Sequence, residues 1–135
     1  MFNFTTTLSY GLRLLVNLSF SKQGPKQLKK IAKEEGISLL YLRKLTSPLE
    51  KAGLIKSLRG PGGGFMLGRA PEDVSVTEVI NTLSHNKVME CVKGASDCRR
   101  YGSCAVKDLL EEAYTRFQSV FKDKTLATIT KRGKK

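Results

Sequence analysis

Residues 59–64 read Arg-Gly-Pro-Gly-Gly-Gly. No helix survives four glycines and a proline in six positions, since each costs about 1 kcal/mol or more inside a helix. The run has to be a turn, and its neighbours say what it joins. Leu54-Ile55-Lys56-Ser57-Leu58 before it and Phe65-Met66-Leu67 after it are short, apolar and strand-like. A β-hairpin with a glycine-rich tip is therefore expected. The rival reading of these glycines, a phosphate-cradling loop, fails on detail. A dinucleotide fingerprint needs Gly at position 65, which is Phe, and a P-loop needs Gly-Lys-Ser/Thr leading into a helix.

The chain on either side of the hairpin has helical periodicity. Leu8, Leu12 and Leu15, with Leu18 beside them, predict a helix over about residues 6–21, broken by Gly24-Pro25. Leu28, Ile31 and Ala32 predict a short amphipathic helix with Lys29, Lys30 and Lys33 on its other side, ended by Gly36. Ser38 is an N-cap for a third helix, in which Leu39, Leu42, Leu45 and Leu49 form a stripe reaching Gly53. Pro48 lies inside this helix and is expected to remove one backbone bond and bend it. After the hairpin, Val74, Val76, Val79, Ile80 and Leu83 predict a short helix capped by Ser75. Residues 86–104 have little apolar pattern and are expected to be a loop. Val106, Leu109, Leu110, Ala113, Phe117, Val120 and Phe121 then stripe a long helix over about 105–121. The basic tail 131–135 is expected to be without fixed structure.

Two short helices joined at Glu35-Gly36-Ile37 and followed by a hairpin make the layout of a winged helix–turn–helix. The fold class expected is mainly α with a small β-hairpin. In this layout the first turn of the third helix is held toward the DNA major groove. Ser38, Leu40, Tyr41, Arg43 and Lys44 are its candidate contacts, with Tyr41, Arg43 and Lys44 free to face the groove. On the wing, Arg59, Gly60, Pro61 and Gly62 are the candidates, because glycines let backbone approach a phosphate closely.

Charge points the same way. The chain carries 24 Lys and Arg against 12 Asp and Glu, a net +12, which calls for a polyanionic partner. The excess is uneven: +7 over residues 22–59 and +6 over 99–135, around a slightly acidic middle. Double-stranded DNA fits better than RNA, because aromatics are only 7% and fall mostly in the core stripes rather than forming stacking platforms.

Other classes fall away. No apolar run approaches the roughly 20 residues of a membrane span. The first twenty residues lack a basic lead-in and a cleavage site, and three cysteines are an odd number, so a cytoplasmic protein is expected. A single histidine, His85, leaves no zinc-hydrolase pair and no catalytic triad, so no enzyme is expected.

Cys91, Cys98 and Cys104 are spaced C-x6-C-x5-C. Three soft ligands within fourteen residues suit a thiophilic metal or an iron–sulfur cluster. The spacing matches no zinc pattern built on close C-x2-C pairs. Lys93, Arg99 and Arg100 would offset the negative charge of such a group. Three structural or idle thiols are the plainer reading, and His85 is a further ligand candidate that is more simply a surface residue.

Two stretches then carry a family resemblance. Residues 36–42, Gly-Ile-Ser-Leu-Leu-Tyr-Leu, and residues 52–65, Ala-Gly-Leu-Ile-Lys-Ser-Leu-Arg-Gly-Pro-Gly-Gly-Gly-Phe, resemble the Rrf-type family of bacterial winged-helix regulators, which has IscR-, NsrR- and CymR-like members. Ser9-Tyr10-Gly11-Leu12-Arg13 and Lys124-Thr125-Leu126-Ala127 look like that family's opening and closing segments. The resemblance covers nearly the whole chain, and the wing is its specific part. It implies a homodimeric repressor or activator on partly palindromic DNA operators. It divides the chain into a DNA-binding domain (1–84), a cysteine-containing sensor loop (85–104), a dimerisation helix (105–123) and a C-terminal segment with a basic tail (124–135). An amphipathic helix with more apolar face than a small domain covers is the independent argument for the dimer. The competing arrangement packs that stripe on the chain's own first helix.

The resemblance also implies a 2Fe–2S or 4Fe–4S cluster on Cys91, Cys98 and Cys104, sensing redox state, nitric oxide or iron status. Relatives of the cluster-binding kind place a fourth ligand three residues after the last cysteine or just before Tyr-Gly-Leu-Arg. Those positions are Lys107 and Ser9 here. Ser9 across a dimer, Glu90, Asp97, a water or a small thiol are the remaining candidates. Arg43-Lys44 stands where IscR-like members carry Glu-Gln, which reverses charge on the reading surface. The alternative implied by CymR-like members is the same DNA-binding regulator without a cluster, responding to thiol oxidation or a small-molecule effector.

Overall fold

The computed structural model describes residues 6–84 and 98–132. Six helices and one hairpin follow in order: α1 (Thr6–Ser19), α2 (Leu28–Glu35), α3 (Leu39–Lys51), β1 (Ile55–Leu58), β2 (Gly64–Leu67), a 3-10 turn at Pro71–Asp73, α4 (Val76–Leu83), α5 (Lys107–Phe121) and α6 (Leu126–Arg132). The fold is mainly α with one antiparallel hairpin, as its sequence implies.

The helix α1 is the centre of the fold. It packs against α2, α3, α4 and α6, so apolar side chains are needed on more than one of its sides. Leu8, Leu14, Leu15 and Leu18 are all buried, a wider set than a single stripe. At Gly11 the crossing with α4 is so close that an added Cβ would lie 2.1 Å from a methyl carbon of Leu83. One polar residue, Asn17, is buried on this helix. Its amide donates to Glu34 Oε2 at 3.0 Å and Glu35 Oε1 at 2.8 Å, and its carbonyl accepts from Lys26 Nζ at 2.7 Å. Every group is satisfied, so the burial is tolerated, and the network fixes α2 on α1.

The turn from α2 to α3 is set by Gly36, whose φ of 64° and ψ of 34° place it in the left-handed region. Its N–H bonds the Ala32 carbonyl, closing α2. Ser38 then caps α3 by accepting from the Tyr41 N–H at 3.4 Å. Ile37 and Leu42, the two positions of a hydrophobic staple, are both buried. The helix α3 runs unbroken through Pro48.

In the hairpin Ile55 pairs with Leu67 and Leu58 with Gly64. The Gly60 carbonyl accepts from the Gly63 N–H at 2.9 Å, with Pro61 and Gly62 (φ 77°) between them. Proline first and a positive-φ glycine second is the residue order of a type II turn. An antiparallel bridge between Lys26 and Phe65, with both bonds at 2.8 Å, ties the hairpin to the approach to α2.

The chain end departs from its expectation. Lys131 and Arg132 are the last turn of α6 rather than part of an unstructured tail. Leu126 is fully buried in the core, and its N–H bonds the Val74 carbonyl at 2.9 Å. Val76 donates in turn to Lys124 at 3.0 Å. Ser75 stands at the N-cap of α4 but makes no side-chain cap. The C-terminal segment serves the start of α4 instead. Among the described residues, no helix is long and apolar enough to cross a membrane.

Candidate DNA-binding face and cysteine segment

The inner side of α3, Leu42, Leu45 and Leu49, is buried. Leu40, Arg43, Lys44 and Ser47 therefore share the outer side, at i, i+3, i+4 and i+7, and all four are exposed. Tyr41 is placed differently from the expectation that it faces the groove freely. Its ring meets Tyr10 edge-on, centroids 5.3 Å apart at 81°, and its hydroxyl shares a 2.5 Å hydrogen bond with Thr7. Arg13 sits 5.5 Å from the Tyr10 centroid and pairs with Glu35 at 3.1 Å. Tyr41 thus braces α3 on α1 while Arg43 and Lys44 project outward.

Arg59, Gly60, Pro61 and Gly62 are all exposed at the wing tip. Behind the tip lies an open groove of about 550 Å³, lined by Phe20, Lys22, Lys26, Lys30, Gly62 and Gly63 among others. Sequence reasoning missed this groove. The signal was the +7 block, but only the Lys26–Phe65 bridge brings its lysines beside the glycines. Lys26 itself is engaged by Glu34 and Asn17. The Glu34 carboxyl is held below its ordinary range, first by the hydrogen bond from Lys26 and then by that from Asn17. On the other flank Arg69 pairs with Glu78 at 2.6 Å, which raises the Arg69 pKa further.

Two of the three predicted metal ligands lie among the described residues. Cys98 is exposed, Cys104 is half-buried, and both are free thiols. Cys91, with His85, Glu90 and Asp97, lies outside the described residues. Residues 98–104 are a series of turns closed by backbone bonds, Tyr101 N–H to Cys98 at 3.0 Å and Ser103 N–H to Arg100 at 2.9 Å. These bonds leave both sulfurs uncommitted, and among the described residues no three His, Cys, Asp or Glu side chains are grouped so as to hold a metal ion. Lys107 does not fit as a ligand. Its ammonium, which has no lone pair, sits 3.9 Å from the Tyr101 ring centroid. Ser9 is exposed on α1.

Cys104 leads directly into α5. Alone among the described helices of eight residues or more, α5 has no buried residue. Val106 (53%), Leu109 (66%) and Val120 (57%) are open to solvent, and Phe117 meets Phe121 edge-on at 5.2 Å. Among the described elements the helix packs chiefly on α4.

Comparison with known proteins agrees with this geometry. A profile of the Rrf2 family, described as an iron-dependent transcriptional regulator, matches residues 4–132. The chain is 37% identical over 123 residues to the HTH-type transcriptional regulator IscR of Vibrio atlanticus (strain LGP32), covering 90% of this chain and 71% of the relative. Among solved structures it is similar to IscR of T. potens, with a TM-score of 0.79 and 30% identity over 96% of this chain and 87% of that one. It is also similar to CymR, the global cysteine regulator of B. subtilis, with a TM-score of 0.76 and 29% identity over 98% of both chains.

Proposed function

The chain belongs to the Rrf2 family of transcriptional regulators, and from that premise we propose that it is a homodimeric, sequence-specific DNA-binding regulator whose grip on its operator is modulated by an iron–sulfur cluster held by Cys91, Cys98 and Cys104. The observation that carries the proposal is a continuity. The free thiols of Cys98 and Cys104 stand on the turn that feeds straight into the solvent-exposed helix α5.

The residues divide the work as follows. Arg43, Lys44 and Arg59 meet phosphates and guanine edges, and the wing glycines allow the backbone to approach. Ser38 and Tyr41 hold the first turn of α3 in place. The apolar face of α5 pairs with the same face of a second copy, which sets the distance between two recognition helices. When bound, the cluster supplies a redox-sensitive tether across the cysteine segment. Residues 85–104 join α4, which belongs to the DNA-binding body, to α5, which joins the two copies. A change in that segment shifts the half-site spacing the dimer grips. Arg99 and Arg100 beside Cys98 balance thiolate charge.

Variants with Cys91, Cys98 or Cys104 replaced by Ala test the gating. Each is expected to bind DNA with an affinity that no longer responds to oxygen or nitric oxide. Operator binding identical to the wild type under every redox condition would overturn it.

A second reading is favoured by the placement of Lys107. With its ammonium on Tyr101, the segment offers thiols but no fourth side-chain ligand at that position. The same DNA-binding regulator then responds to thiol oxidation or a small effector. Iron content separates the two.

A further inference from the structure

Leu40 is the second residue of α3, and 66% of its surface is exposed. The fold has no use for a leucine there. The staple positions of this helix are filled by Ile37 and Leu42, both buried, and the inward stripe by Leu42, Leu45 and Leu49. Leu40 stands instead on the outer side, one turn before Arg43 and Lys44. An aliphatic side chain flanked by two cations on the face offered to a polyanion needs an apolar partner on that polyanion. The one alkyl group on the base-pair edges in the major groove is the C5-methyl of thymine.

We propose that Leu40 is a specificity residue that reads thymine. Its side chain packs on the C5-methyl of one thymine in each operator half-site, next to the base or phosphate that Arg43 or Lys44 engages. The inference rests on the DNA-binding reading above and deepens it, adding to a positively charged face one position at which sequence is chosen by methyl contact. Ser38 and Tyr41 serve this role by fixing the first turn, so that Leu40 has one direction in which to reach.

The test begins by selecting an operator from a random DNA library with the full-length protein. Each thymine of the enriched site is then replaced singly by deoxyuridine, which removes only the methyl group. At one thymine per half-site the replacement is expected to weaken wild-type binding about fourfold, the worth of one buried methyl. Leu40→Ala is expected to bind the unmodified operator about fourfold or more weakly and to be indifferent to deoxyuridine at that position. Leu40→Met, which keeps an aliphatic reach, retains the sensitivity. A wild type indifferent to every replacement, or a Leu40→Ala variant with the same deoxyuridine profile as the wild type, would overturn the Leu40 assignment alone. A library from which no sequence is enriched would overturn the DNA-binding reading and this assignment together.

Discussion

Tyr41 of α3 and Tyr10 of α1 meet edge-to-face at 5.3 Å, and the Tyr41 hydroxyl is bonded to Thr7 in the first turn of α1. An edge-on aromatic pair contributes about 0.5–1.5 kcal/mol beyond its buried area. The pair sets the angle of α3 on the body. Tyr41→Phe keeps the ring contact and loses the hydrogen bond, so it should cost about 1 kcal/mol in urea unfolding. Its DNA affinity should fall less than that of Arg43→Ala. A Tyr41→Phe variant that loses DNA binding as completely as Arg43→Ala would make the hydroxyl a DNA contact instead of a brace.

Gly64 is the point where the wing is fastened. A Cβ there would lie 2.4 Å from the Lys26 carbonyl oxygen, and that neighbour is backbone held in a two-bond bridge. Gly64→Ala should therefore destabilise the fold by about 1–3 kcal/mol and free the wing from α2. Gly60→Ala meets no atom and is strained only by its φ of 95°, so its loss should be the smaller of the two. Thermal unfolding of both variants ranks them.

How far the fold is legible in the sequence depends on how local its causes are. The hairpin, the α2–α3 turn and α3 itself are readable, since Gly36, Ser38 and residues 59–64 act through backbone conformation within a few positions. The last helix is not readable. Leu126 to Arg132 span two turns, too short for a period to emerge, and Leu126 is buried only because the chain returns to α4. Spacing alone allows Tyr41 to face the groove; its true direction depends on where α1 crosses α3, which no local pattern records. Asn17 is likewise hidden, a polar residue in an apolar helix whose partners lie in the next element. Spacing nominates the cysteines as a set, of which Cys98 and Cys104 lie on the described turns and Cys91 lies outside the described residues, whereas Lys107 is held on Tyr101, three residues after Cys98.

The polar clamp on α1 has a signed pH dependence. Glu34 is held below its ordinary carboxylate value by Lys26 first and Asn17 second. A depressed carboxylate adds stability above its unfolded pKa and loses it as the pH falls through the folded value. The contribution of Glu34 should thus be constant near neutrality and vanish only in acid. The stability difference between wild type and Glu34→Gln should shrink as urea unfolding is repeated at falling pH. A difference that instead grew in acid would contradict this assignment. Asn17→Ala, which leaves two carboxylates and Lys26 short of a partner, should cost about 1–3 kcal/mol at neutral pH.

The basic face predicts a steep salt dependence. Removing one cation that meets a phosphate should reduce the slope of log affinity against log salt by about one. Arg59→Ala and Arg43→Ala should each weaken binding to the selected operator more than Lys134→Ala does. Equal losses at all three would indicate attraction by net charge alone.

The central claim joins the cysteine segment to the DNA-binding face, and one preparation tests it. Protein purified without oxygen is assayed for iron and acid-labile sulfide, and its affinity for the selected operator is measured before and after the metal is removed by chelation. The account predicts near-equal iron and sulfide and an operator affinity that changes on removal, with Cys104→Ala matching the stripped protein from the outset. Protein that holds no iron after reconstitution, and binds its operator identically before and after chelation, would contradict it.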